Sequence, residues 1–210
     1  MLVVKVGGCN GSGKTSVARA LMDLVGCTPL EYKKDKPYVY ASGQRPDLKG
    51  HRLVVLGSYG SVCGGMDTIS DKDERLQLVR DYARPLTANV VFYEGLITGK
   101  TYGAMGAMSD EPTQKGRWLY TFMDTPFEVC VRRVMSRRTE RAIAKGMDPI
   151  DALKYGAELD AERTMRPTFK SVHSTAKRAE DAGHHVHWIN HEQSPKDAAK
   201  ALIKRVKGIL

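Results

Sequence analysis

The chain has 210 residues, with 33 Lys+Arg against 24 Asp+Glu, a formal net charge of +9 and a pI near 9.4. That length allows one domain of ordinary size and argues against two full ones, while the basic balance favours a polyanionic partner such as nucleic acid, although a nucleotide-phosphate site also gathers arginines. No apolar stretch approaches the roughly 20 residues that cross a bilayer, the N-terminus enters a strand pattern at once, and Cys9, Cys27, Cys63 and Cys130 show no CxxC or zinc spacing, so a soluble, reduced, cytoplasmic protein is expected.

The first element is a short apolar, β-branched run at residues 2–6, which suits a buried strand. It leads into Gly8-Cys9-Asn10-Gly11-Ser12-Gly13-Lys14-Thr15, which fills the phosphate-loop template Gly-x-x-x-x-Gly-Lys-Ser/Thr without a gap. A helix-forming stretch over residues 15–25 follows, with Gly26 as its C-cap, so strand, glycine loop and helix come in the required order. The glycines let successive backbone N–H groups and the helix N-terminus point at nucleotide phosphates. Asn10, Gly11, Ser12, Gly13, Lys14, Thr15 and Ser16 are the expected ATP-binding set, with Lys14 reaching the β- and γ-phosphates and Thr15 ligating Mg²⁺.

Residues 31–36 form a highly charged run, a second strand is possible at residues 38–40, and residues 41–50 read as a loop. Residues 52–57 make a stronger strand. The segment after it, from Ser58 to Thr68, puts Gly60, Gly64, Gly65 and Asp67 in a stretch without a period of its own, leaving a strand end where open α/β sheets bind ligands. Ser70 and Asp73 resemble a helix start, and Leu76, Val79 and Ala83 recur at helical spacing up to Arg84-Pro85. Residues 89–95 read as a central strand ending in Glu94, where a carboxylate could help hold Mg²⁺ or stand merely exposed at a strand end.

Residues 96–115 carry Gly99, Gly103 and Gly106, with a short helix possible, and are expected to flank an acceptor site. A β-rich run at residues 118–123 ends in Asp124-Thr125-Pro126. Phe127, Val131, Val134 and Met135 then form the apolar face of a helix whose other faces carry Arg132, Arg133, Arg137, Arg138, Arg141 and Lys145. Arg133, Arg137 and Arg141 stand four apart, a ladder of like charges that an anion would relieve. They are either a lid meeting a transferring phosphoryl group or a solvated basic face that touches nucleic acid. Asp148-Pro149 opens a further helix expected to run to Arg166-Pro167, a second helical stretch ends at Gly183, residues 185–190 form the last strand, and Ser194-Pro195 opens a final helix. His184, His185, His187 and His191 lack the spacing of a zinc site.

Alternating strands and helices behind a phosphate loop imply an α/β fold, a doubly wound parallel sheet of about five strands, in a single domain over residues 1–210 with a lid and helical region at about 126–182. The guanine signature Asn-Lys-x-Asp is missing, which argues against a GTPase. A strand, Asp-Thr-Pro and an arginine-rich helix resemble the small-molecule and nucleotide kinases of the P-loop class. Leu56-Gly57-x-Tyr59, Cys63-Gly64-Gly65-Met66-Asp67-Thr68 and Val91-Phe92-Tyr93-Glu94-Gly95 are together similar to bacteriophage P-loop kinases that phosphorylate 5-hydroxymethyluracil in DNA. That resemblance implies ATP and Mg²⁺ as cofactors, double-stranded DNA containing 5-hydroxymethyluracil as partner, and the host cytoplasm as location. In the mechanism built on it, Lys14, Asp67, Glu94, Arg133 and Arg137 are the catalytic set, with Thr15 and Glu94 at the metal. Asp67 would be the general base, with Asp35 its rival and a plain turn-forming role its alternative. A nucleoside monophosphate kinase and a nucleic-acid-stimulated ATPase remain the competing functions.

Overall fold

The computed structural model describes residues 1–60, 64–84, 89–95 and 103–210, without the side chain at position 104. Parts of three expected segments therefore lie outside the described residues: Cys63 in the loop after residue 57, Pro85 after the helix that follows it, and Gly99 in the stretch beyond Glu94.

The first strand, β1 (Leu2–Gly7), is buried along its whole length. It pairs in parallel with β5 (Asn89–Glu94) on one side and β6 (Trp118–Asp124) on the other. Strand β4 (Arg52–Leu56) pairs with β5, and β7 (His185–Asn190) with β6, giving five parallel strands in the order β4-β5-β1-β6-β7. Burial on both faces explains the near-continuous apolar runs of β1 and β5. Chain order reverses around β1, so the loop leaving its C-terminal end opens into the crevice where such sheets bind ligands.

Among the described residues the sheet has seven strands, not about five, because an antiparallel pair extends the β4 edge. β3 (Lys36–Gln44) contains the strand expected at residues 38–40 and runs on into the first residues of the expected loop, while β2 (Thr28–Lys33) enters the charged run. Lys34 and Asp35 turn between them with φ of 49° and 60°, the positive-φ pair that suits a two-residue hairpin. Nearly every β2 side chain faces solvent and Pro29 sits within it, both features of an edge strand.

Helix α1 (Lys14–Val25) buries Val17, Ala18, Leu21 and Val25, and Gly26 caps it with φ of 68° and an N–H bond to the Met22 carbonyl. It packs on one sheet face with α8 (Pro195–Ile209), whose Ser194 N-cap accepts from the Asp197 N–H. The other face is covered by α2 (Lys72–Tyr82), α3 (Ala104–Asp110) and α7 (Arg166–Asp181). Asp71, rather than Ser70, caps α2 by accepting from the Asp73 and Glu74 N–H groups. Helix α4 (Phe127–Ala144) forms a helical hairpin with α5 (Pro149–Ala157). Here the expected single helix from Asp148 to Arg166 breaks: α5 stops at Ala157 and α6 (Ala161–Thr164) starts afresh, because Asp160 caps a new turn by accepting from the Arg163 N–H. Gly156 lets the two hairpin helices approach closely, since a Cβ there would lie 2.1 Å from the Thr139 hydroxyl.

The apolar run of β1 is interrupted by a cation. Lys5, in the middle of β1, is 1% exposed, and its Nζ has no hydrogen-bond partner among the described residues. The ammonium lies 4.9 Å from the Tyr120 ring centroid, and burial drops its pKa to about 7. No described helix is long and apolar enough to cross a membrane.

Candidate active site

The phosphate loop is held from two sides. Gly11 and Gly13 take φ of 79° and 102°, conformations that a side chain rarely adopts. At Gly11 a Cβ would lie 2.5 Å from the Cys130 carbonyl of α4, so the loop rests directly on that helix backbone. Thr125 donates its hydroxyl proton to the Ser12 carbonyl at 3.0 Å, giving the Asp124-Thr125-Pro126 turn a structural task that its sequence does not announce. The Lys14 ammonium is buried and donates to the carbonyls of Gly8 and Cys9 at 2.9 and 3.0 Å.

Glu94 ends β5 beside β1, in register with Val6, and is 1% exposed. Its Oε1 accepts the Thr15 hydroxyl proton at 2.8 Å. Burial raises its pKa to about 7, against the downward pull of Lys14, the Thr15 bond and Arg19, while Asp67 pushes it up. A hydroxyl and a carboxylate in contact form a hard-oxygen donor pair of the kind that would hold Mg²⁺. No group of three or more His, Cys, Asp or Glu able to hold a metal occurs among the described residues. His184 instead contacts Ser109 and Asp110, and His191 contacts the Asp124 carbonyl.

The described ends of the segment after β4 fold back on each other. Ser58 and Gly65 form a β-bridge in which the Gly65 N–H bonds to the Ser58 carbonyl at 2.8 Å. The Thr68 hydroxyl donates to the Gly65 carbonyl at 2.7 Å and accepts from the Ser58 N–H at 3.2 Å. Gly65, with φ of 84°, lies so close to β5 that a Cβ would meet the Glu94 carbonyl oxygen at 2.5 Å. This pleat carries Asp67, half-buried in a short 3-10 turn (Met66–Thr68), to the same wall as Glu94.

A cleft of about 540 Å³ joins these parts. It is lined by all seven residues of the expected ATP-binding set, from Asn10 to Ser16, and by Asp67, Glu94, Arg133 and Arg137. The Arg133 guanidinium donates to the Gly11 carbonyl at 3.2 Å. Arg141 is not among the lining residues. Arg132 lines a separate groove of about 780 Å³ between α4 and the α5–α6 segment, and Arg138 stacks 4.5 Å over the Tyr155 ring, packing the helical hairpin together. Asp35 sits at the tip of the edge hairpin and does not line the cleft. Two groups of lining residues escape a reading of the sequence: Arg19 on α1, and Asn190, which ends β7, with His191 and Gln193 just after it. The second group was findable in principle, since it follows a parallel strand at the ligand-binding edge of the sheet.

A glycine-cradled anion loop at the head of a parallel sheet, with a buried carboxylate on the threonine that follows the lysine, defines a P-loop phosphotransferase. The relatives agree with that class. The chain is similar to the "5-hmdU DNA kinase" of Pseudomonas phage PaMx11, 28% identical over 188 residues that cover 86% of each protein. It is also similar to the proteins of that name from Pseudomonas phage M6, 28% identical over 68% of this chain and 75% of the relative, and from Bacillus phage SP10, 24% identical over 87% of this chain and 26% of the relative. A scan against protein-family models finds no match. Among solved structures, a shikimate kinase from Acinetobacter baumannii overlays with a TM-score of 0.45 at 13% identity, covering 99% of this chain and 94% of that one. A deoxyadenosine kinase from M. mycoides overlays with a TM-score of 0.48 at 9% identity, covering 99% and 100%.

Proposed function

We propose that the protein transfers the γ-phosphoryl group of ATP to the hydroxymethyl oxygen of 5-hydroxymethyluracil in DNA. The observation that carries this reading is the meeting of Asp67, Glu94 and the phosphate loop in one cleft. The names of the phage relatives and the net charge of +9 support the choice of acceptor.

In this mechanism the N–H groups of residues 10–16 and the Lys14 ammonium hold the β- and γ-phosphates. Thr15 and Glu94 would hold Mg²⁺, which when bound neutralises charge on the phosphates. Asp67 accepts the proton of the acceptor hydroxyl as its oxygen bonds to the γ-phosphorus, and the bond from that phosphorus to the β,γ-bridging oxygen breaks. Arg133 and Arg137 screen the charge gathered on the departing diphosphate. A 5-hydroxymethyl group projects into the major groove, so the acceptor is reachable with or without extrusion of its base.

Incubation with ATP labelled at the γ-phosphate tests the reading. Label should enter duplex DNA containing 5-hydroxymethyluracil and not the same duplex containing thymine. Label on free nucleotides would instead establish a nucleotide kinase, and release solely as inorganic phosphate would establish an ATPase.

A further inference from the structure

Arg19 has no part in the mechanism above, yet it stands where its two halves meet. It lies one helical turn beyond Thr15 on α1, so both side chains project from the same helix face into the cleft. Its Nη2 donates to the Tyr59 carbonyl at 2.9 Å, across the gap between the phosphate-loop helix and the segment that bears Asp67. It is also close enough to Glu94 to draw that carboxyl's pKa down.

Tyr59 is a firm point to hold. It is 6% exposed, its ring meets Tyr40 edge-on at 5.9 Å, and its N–H lies 3.4 Å from the Tyr40 hydroxyl. From Tyr59 a line of bonds continues through Ser58 to Gly65 and Thr68, the residues on either side of Asp67. The grip on ATP and the proposed base are thereby tied together through one guanidinium. We infer that Arg19 is a positioning residue: it registers the acceptor segment against the phosphate loop, and so governs whether the phosphoryl group passes to the acceptor hydroxyl or to water. This rests on the phosphotransfer reading and adds to it a residue that decides coupling. Geometry of this kind has leverage, since a misplacement of about 1 Å can cost on the order of 100-fold in rate.

The test compares wild type with Arg19→Lys, which keeps the charge but loses the planar fork, and with Thr68→Ala, which loosens the same segment from its other limb. Three quantities are measured: label entering 5-hydroxymethyluracil DNA, inorganic phosphate released, and the Kd of a fluorescent ATP analogue. In both variants we expect transfer at saturating ATP to fall about 10- to 100-fold, the ratio of transfer to hydrolysis to fall at least tenfold, and the analogue's Kd to stay within about threefold. An unchanged ratio in both variants overturns the inference, as does a loss of analogue binding in Arg19→Lys that matches its loss of transfer. Wild-type protein run alongside separates the two levels: if it labels no acceptor, the phosphotransfer reading itself fails, whereas normal wild-type transfer with unaltered variant ratios removes Arg19 alone.

Discussion

Replacing Lys5 with Met should stabilise the fold, and the gain should shrink as the pH rises. The ammonium is buried in the central strand without a hydrogen-bond partner among the described residues, and burial alone lowers its pKa from 10.5 to about 7. Below about pH 7 both folded and unfolded chains carry the proton, so the full cost of burying the charge is present. Between pH 7 and 10.5 the unfolded chain binds more protons than the folded one, so wild-type stability rises with pH. At about 1.4 kcal/mol per pKa unit, the cost is about 5 kcal/mol at pH 6 and about 2 kcal/mol at pH 9. Attraction to the Tyr120 ring offsets about 1–2 kcal/mol of the charged-state cost, leaving a gain of about 3–4 kcal/mol at pH 6. Methionine keeps the volume and adapts to the aromatic surroundings. Urea unfolding of both proteins at pH 6 and pH 9 measures the difference, and groups common to both cancel. A Met variant no more stable than wild type at pH 6, or an advantage that does not shrink by pH 9, would refute the reasoning.

Gly65→Ala should lower stability by about 2 kcal/mol or more and cut phosphoryl transfer about 100-fold, because the added methyl meets the Glu94 carbonyl at 2.5 Å in a positive-φ conformation; urea midpoints and labelled transfer measure both, and wild-type values would remove the close approach. Asp67→Asn should reduce kcat by about 10²- to 10⁴-fold while leaving binding of a fluorescent ATP analogue intact, and full turnover would rule Asp67 out as the base. Thr15→Val deletes the hydroxyl bonded to Glu94, so the Mg²⁺ concentration for half-maximal activity should rise at least about tenfold; an unchanged Mg²⁺ titration would dissociate Thr15 from the metal. Binding to duplex DNA should weaken steeply between 50 and 200 mM salt, by about 10³-fold or more if six phosphates are neutralised, and a flat response would argue for a free-nucleotide acceptor.

What was legible from the residues was whatever elementary chemistry restricts tightly. The phosphate loop admits few alternatives once a strand precedes it and a helix follows, and the run ending in Glu94 could be placed because a central parallel strand must be apolar until it stops. The edge strand β2 was hidden for the opposite reason. Thr28–Lys33 buries almost nothing, so it shows no alternation, and its turn is Lys34-Asp35 rather than Asn-Gly. The break after Ala157 was hidden too, since Asp160 reads as an ordinary polar helix residue until its carboxylate is seen on the Arg163 N–H.

Within the site, the division falls between residue type and distance. Three glycines and an acid after β4 suggested a ligand loop, but composition alone reads as freedom of movement, whereas the folded chain uses Gly57, Gly64 and Gly65 for close approach. A Cβ at Gly57 would meet the Gly65 carbonyl carbon at 2.2 Å, and one at Gly64 would meet the Thr15 methyl at 3.2 Å. The described part of the segment around Gly64 and Gly65 is therefore pressed against β4, β5 and α1, and the missing side chains there let Asp67 stand near Glu94. Arg19 could not be read at all, because an arginine four residues after a threonine on a helix is unremarkable without the Tyr59 carbonyl opposite it. The ladder of Arg133, Arg137 and Arg141 shows the same limit: helical spacing puts all three on one side, yet the short phosphate loop reaches along only part of α4, so the cleft takes Arg133 and Arg137 and stops before Arg141.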